Sequence, residues 1–213
     1  MNIVFDFGAV LFTWQPQQLV QAHFPHLAPD VAGAETLARS IFHHEDWIGF
    51  DRGMVELPEA IDSIAQRLNL PADVLDRMLS PLADRLVPIE STVALLQRLH
   101  AARDGWPDLR LYFLSNMPAP YARELERRHA FLQCFDAGIF SGDVQLAKPD
   151  PEIYKLLATR HSLDPARTVF IDDMPVNVEA AAAQGWRGVH FSDAAALERL
   201  LREEIVQGSA AAF

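Results

Sequence analysis

Val4-Phe5-Asp6-Phe7-Gly8-Ala9-Val10 is an apolar run interrupted by a single carboxylate. Two later stretches share the design, each apolar and ending in polar residues: Phe113-Leu114-Ser115-Asn116 and Phe170-Ile171-Asp172-Asp173. A fourth segment, Lys148-Pro149-Asp150-Pro151, places a lysine in a loop. Buried strands of a parallel sheet read as apolar runs, and ligands bind outside the carboxyl ends of such strands. Asp6, Ser115, Asn116, Asp172 and Asp173 are therefore expected to converge on one edge of one sheet. Carboxylates, a lysine and hydrogen-bonding groups around one point suit a divalent cation and a phosphoryl group.

Outward from these segments, residues 2–7 read as the first strand. Between about 15 and 86, apolar residues recur at helical spacing over 17–24, 31–44, 57–68 and 71–82. Pro58 and Pro71 sit near helix starts, where a missing N–H costs little. No strand pattern interrupts this block, which reads as a small all-helical insertion. From Pro88 onward the chain alternates. Strands are expected at 110–114, 137–140, 168–171 and 188–191, and helices at 91–100, 119–128, 151–160, 176–184 and 194–204. Repeated strand–helix units imply an α/β fold with a doubly wound parallel sheet. The core is expected at 1–14 and 87–213, with the helical unit at 15–86. Gly185 is placed to close the helix before the last strand, and 208–213 is expected to fray.

The chain has 213 residues, half of them hydrophobic, enough for one domain and a modest insertion. Eighteen basic residues stand against twenty-nine acidic ones, a net charge of -11. A nucleic-acid footprint would be basic, so no nucleic-acid partner is expected, and the negative charge reads as solubility. A phosphate must then be held by local charge. The single cysteine, Cys134, excludes an intrachain disulfide and fits a reducing, cytoplasmic setting. It lies in an apolar stretch and reads as core filler. The first apolar run is short, broken by Asp6 and lacks a basic lead, so it reads as a strand and not a signal peptide. No stretch is long enough to span a bilayer.

Each candidate residue has a plainer reading beside the functional one. A buried Asp6 must be paired, metal-bound or reactive; alternatively it caps a helix or sits in a turn. Gly8 permits an unusual backbone angle or close approach of a ligand. Ser115-Asn116 are preferred helix caps, and the same geometry presents a hydroxyl and N–H groups to phosphate oxygens. Lys148 sits in a loop stiffened by two prolines, where a fixed ammonium would screen a phosphate from an attacking carboxylate. Asp172 and Asp173 repel unless a cation or proton lies between them, and such oxygen ligands suit Mg²⁺; the alternative is an acidic turn. His43-His44-Glu45-Asp46 is poorly spaced for a metal on a helix and reads as a polar helix end. Arg123, Arg127 and Arg128 with Glu124 and Glu126 read as a solvated helix face.

In order, these segments resemble the haloacid dehalogenase (HAD) superfamily of hydrolases across nearly the whole chain. The match includes Asp6, Ser115-Asn116, Lys148 before Pro149-Asp150-Pro151, and Asp172-Asp173 followed by Asn177. The helical block falls where that family carries its small helical cap. The resemblance implies a nucleophilic Asp6 that forms an aspartyl-phosphate. It also implies Mg²⁺ held by Asp6, the Gly8 carbonyl and Asp173, with Asp172 helping directly or through water. Ser115, the Asn116 backbone and Lys148 would bind the phosphate. The pattern departs at Gly8, where many family phosphatases carry a second aspartate as general acid. Asp-Phe-Gly-Ala-Val is similar instead to a branch that includes bacterial sugar-phosphate phosphatases, such as those acting on glucose 1-phosphate. The missing proton would then come from water, the substrate or a cap residue; Asp51 is one candidate, with a turn as its plainer reading. The expected activity is Mg²⁺-dependent hydrolysis of a small phosphomonoester. The alternatives are a 2-haloacid dehalogenase using Asp6 on carbon, and a non-catalytic binding protein on this scaffold.

Overall fold

In the computed structural model, which describes residues 1–210, the apolar runs form five strands. They are β1 (Asn2–Phe5), β2 (Arg110–Ser115), β3 (Ala137–Phe140), β4 (Thr168–Asp172) and β5 (Arg187–His190). All pair in parallel, in the order β3-β2-β1-β4-β5. The central strand is β1, with Phe5 level with Phe113 of β2 and Ile171 of β4. The chain therefore leaves β1, β2 and β4 side by side, delivering Asp6, Asn116 and Asp173 to one edge.

Seven helices separate β1 from β2: α1 (Pro16–His23), α2 (Val31–Phe42), α3 (Glu45–Asp51), α4 (Leu57–Leu68), α5 (Ala72–Leu79), α6 (Leu82–Arg85) and α7 (Glu90–Ala101). The remaining helices are α8 (Ala119–Arg128), α9 (Pro151–His161), α10 (Pro175–Ala183) and α11 (Ala194–Ala210). Two of these were not expected. The run over 31–44 stops at Phe42, and His44, in extended conformation, accepts a hydrogen bond from the Asp46 N–H to start α3. The run over 71–82 stops at Leu79; Pro81 lacks the N–H that would continue it, and α6 begins after it. Both additions are two turns or fewer, too short for an apolar period to register. Gly185 adopts φ +81 after α10, as a closing glycine should. Of the tail expected to fray, 211–213 lie outside the described residues.

The sheet buries both faces by the alternation of its strands. Ile3, Phe5, Val169 and Ile171 face α7, α11 and the helical block in one continuous cluster. Val4, Tyr112, Leu114 and Phe170 face Ile153, Tyr154 and Leu157 of α9 and Ala181 of α10. Cys134 is partly exposed and packs against the first cluster. Among the described residues, no helix is long and apolar enough to cross a membrane.

Gly138 on β3 sits opposite Phe113 of β2, and a Cβ there would come within 2.3 Å of the ring. That ring packs against Phe7 and Phe140 at centroid distances of 5.0 and 4.5 Å, so it has little room to yield. Gly138→Ala is expected to cost about 1–3 kcal/mol by overpacking. Urea unfolding of the variant against the parent measures it.

Candidate active site

The amide of Asp6 is the last rung of the β1–β4 ladder, donating to the Ile171 carbonyl at 2.9 Å. Its carboxylate thus begins where the sheet ends. The Lys148 ammonium lies 2.7 Å from Asp6 Oδ1 and 2.6 Å from Asp172 Oδ2. The lysine side chain is 1% exposed and that of Asp172 0%. The other oxygen of Asp172 accepts from the Met174 N–H at 2.8 Å and from Asn177 Nδ2 at 3.0 Å. Both oxygens of Asp172 are therefore engaged by the protein. Asp173 remains partly exposed and has no ion-pair partner among the described residues. One oxygen from each of Asp6, Asp172 and Asp173 lies within 4.8 Å of the others. This all-oxygen, carboxylate donor set fits Mg²⁺, which takes one or two carboxylates and keeps water.

Lys148 is fixed by a residue from β2's end. Asn116 Nδ2 donates to the Lys148 carbonyl at 2.9 Å, and Asn116 Oδ1 accepts from the Lys148 N–H at 2.8 Å. This two-point clamp was not legible in the sequence, because the partners are 32 residues apart. Asp150 accepts from the Glu152 N–H and caps α9, so the loop is held on both sides of the lysine. Ser115 is buried at the end of β2, and Asn116, not Ser115, lines the cleft above the carboxylates.

Burial raises the Asp6 carboxyl to about 7; Lys148 pulls it back down and Asp172 adds to the rise. Burial by itself would lower the Lys148 ammonium, but Asp6 and Asp172 outweigh it and hold the group above its usual range. Burial and the neighbouring Asp172 raise Asp173. A cation beside Asp6 and Asp173 would favour their ionised forms.

The carboxylates open into a cleft of about 360 Å³. The helical block and α8 supply its walls. Trp14, Phe42, Trp47, Phe50 and Tyr121 form a chain of edge-to-face contacts at 5.1, 5.0, 5.4 and 5.4 Å; all but Phe50 line the cleft, with Leu82, Leu86 and Met117. The Tyr121 hydroxyl donates to the Leu79 carbonyl at 2.7 Å, leaving its ring for the cleft. No sequence signal marks these aromatics, since they come from separate elements and each reads as core. Asp51 and Arg52, at the end of α3, also reach the cleft. The Arg52 guanidinium has no ion-pair partner among the described residues, and its buried Nε has no hydrogen-bond partner.

Other expectations resolve plainly. Gly8 lines the cleft, but the left-handed angle at this turn belongs to Ala9, φ 54. A Cβ at Gly8 would meet Trp14 at an ordinary 3.8 Å, so backbone strain does not require glycine there. Asp46 pairs with Arg67 at 2.7 Å and with His44 at 3.1 Å, a polar helix end; His43 alone of that group lines the cleft. Arg123 pairs with Glu126 and Asp143, and Arg127 with Glu124, as a solvated face would.

A model of the haloacid dehalogenase-like hydrolases matches residues 19–185. The sesquiterpene phosphatase astK of Aspergillus oryzae is 29% identical over 201 residues, covering 94% of each chain. A phosphoglycolate phosphatase of Salmonella typhimurium is 32% identical over 126 residues, spanning 55% of this chain and 48% of that one. Among solved structures, a HAD family enzyme of Bacteroides thetaiotaomicron, in complex with magnesium and inorganic phosphate, superposes with a TM-score of 0.62. It is 21% identical and covers 87% of this chain and 90% of that chain; at that identity the likeness is one of fold.

Replacing the shared ammonium leaves two buried carboxylates without a counter-ion. Lys148→Met is expected to destabilise by about 3–5 kcal/mol near neutral pH. The loss should shrink as pH falls to about 5, because Asp6, whose folded pKa is raised above its unfolded value, regains stability on protonation. Denaturant unfolding of both proteins across that range reads the sign directly.

Proposed function

The chain belongs to the haloacid dehalogenase-like hydrolases, and from that premise we propose that it is a Mg²⁺-dependent phosphatase acting on a small, largely apolar phosphomonoester through an aspartyl-phosphate. The observation that carries this reading is the buried Lys148 ammonium shared by Asp6 and Asp172, beside a partly exposed Asp173. Asp6 attacks phosphorus in line; Lys148 and the Asn116 backbone take phosphate oxygens, and Ser115, buried behind them at the end of β2, does so only if its hydroxyl turns toward the cleft. Asp6, the Gly8 carbonyl and Asp173 hold Mg²⁺, and Asp172 keeps Lys148 in place. Mg²⁺, when bound, neutralises phosphoryl charge that would otherwise repel the nucleophile. Residues 15–86 act as a cap domain over a core formed by 1–14 and 87–213, closing the reaction from water.

The walls favour an apolar substrate body. Trp14, Phe42, Trp47 and Tyr121 offer ring surface and few free donors. A sugar phosphate, the expectation drawn from the Asp-x-Gly pattern, would bury its hydroxyls against those rings, with His43, Asp51 and Arg52 as the polar groups in reach. The likeness to a sesquiterpene phosphatase over nearly the full length supports the apolar reading. Dehalogenation is disfavoured, because Asp172 and Asp173 would repel a carboxylate substrate. The intact Asp6 and Lys148 argue against a binding protein. The lone cysteine suits a cytoplasmic setting.

Phosphate release from farnesyl phosphate and from glucose 1-phosphate, with Mg²⁺ or with excess chelator, tests both parts. Farnesyl phosphate is expected to have the higher kcat/KM by about tenfold or more, and the chelator to abolish turnover. Chelator-insensitive hydrolysis would remove the metal from the scheme, and a preference for glucose 1-phosphate would remove the apolar substrate. Asp6→Asn should lower kcat by about 10⁴-fold or more. In calorimetric titration with Mg²⁺, Asp173→Ala should lose more affinity than Asp172→Ala; the reverse order would reassign the ligand.

A further inference from the structure

An alcohol leaving phosphorus must take up a proton, and the groups around Asp6 are poor donors. Lys148 is held between two carboxylates that tighten its hold on its proton. Asp172 has both oxygens engaged. Asp173 is the carboxylate open to a cation, and position 8 has no side chain. We propose that Asp51, at the end of α3, is the general acid that protonates the leaving oxygen and then serves as the base for water. The inference rests on the phosphatase reading above.

Its position argues for it. Asp51 lines the same cleft as Asp6 and Lys148. Its backbone is tied to the end of β2 by a relay: the Met117 N–H donates to Ser141 Oγ at 2.8 Å, and that hydroxyl donates to the Asp51 carbonyl at 2.5 Å. Two residues on, Gly53 at φ +67 lies so close to Gly142 that a Cβ would stand 2.5 Å from the Gly142 carbonyl oxygen. The helix end is thus docked on the loop beside Asn116 and Met117, not free to swing. Trp47, one turn back on α3, lies beside the Asp51 carboxyl and favours its charged form.

Its chemistry agrees. Burial pushes this carboxyl up to about 8, with the Trp47 N–H pulling the other way, so near neutral pH it carries the proton a general acid needs. A helix C-terminus also disfavours negative charge. Charged groups on the neighbouring elements are engaged elsewhere: Arg67 of α4 with Asp46, and Asp143 of the 141–143 turn with Arg123. Tyr121 of α8 feels the Asp51 charge, and Arg52 and His43 share the cleft.

The step balances. The Asp6 carboxylate forms a bond to phosphorus, the P–O bond to the alcohol breaks, and the Asp51 proton moves to the departing oxygen, leaving Asp51 ionised. Water then attacks the aspartyl-phosphate, Asp51 takes its proton, and phosphate leaves with Asp6 restored.

The test compares the parent with Asp51→Asn on p-nitrophenyl phosphate and on a primary alkyl phosphate, with Mg²⁺ present and thermal melts run on both proteins. General acid catalysis is worth about 10²–10⁴-fold where the leaving group needs a proton. The alkyl kcat/KM should fall by that factor, the aryl value by less than about tenfold, and the basic limb of the parent's pH–rate profile should disappear. Equal losses on both esters, or no loss on either, would overturn the assignment. Should Asp51→Asn fail to fold, the parent decides alone: across aryl phosphates of graded phenol acidity, a shallow rate dependence supports an internal acid and a steep one overturns it. A parent that hydrolyses neither ester would instead sink the phosphatase reading.

Discussion

A lysine ammonium shared by two buried carboxylates is the interaction on which this site depends. Asp6 and Asp172 sit at the ends of adjacent strands, and without Lys148 two like charges would face each other in a medium that screens them poorly. The lysine itself could not stay charged in that place without them. Each member therefore makes the others possible, and the surrounding structure is arranged to keep them together. Asn116 clamps the lysine's backbone from both sides. Asn177 and the Met174 amide hold the far oxygen of Asp172. Tyr154, inside the lower cluster, donates to the Asn177 carbonyl at 3.0 Å and so joins α9 to α10 beneath the site.

Above that charged floor the chemistry changes character. The walls are rings packed edge to face from Trp14 through Phe42, Trp47 and Phe50 to Tyr121. This chain spans the helical block and α8 and belongs to the same cluster as the upper face of the sheet. One end of a ligand would meet charge and the other would meet hydrocarbon. A phosphate head with an apolar body matches that division, because each part finds the environment that costs it least.

Particular residues mark where sequence reading reached and where it stopped. The strands and most helices were legible because buried parallel strands and amphipathic helices impose their own periods over several residues. The short α3 and α6 were not, since two turns or fewer show no period. The end of α3 carries Asp51, a candidate proton donor whose plainer reading was a turn, and it lies in the cleft. Gly8 suggested an unusual angle or a close approach of ligand to the backbone; the left-handed position is its neighbour Ala9, while Gly8 lines the cleft.

From the sequence alone came the parallel α/β sheet, the helical insertion and the residues at the strand ends. Polarity at the end of an apolar run is a local property, and strand order in a doubly wound sheet then places those ends together. Only the tertiary structure decided which carboxylate Lys148 would neutralise, that Asn116 would grip its backbone, and that an aromatic chain would roof the cleft. Those contacts join residues tens of positions apart through side-chain packing, which leaves no period or spacing in the chain to read.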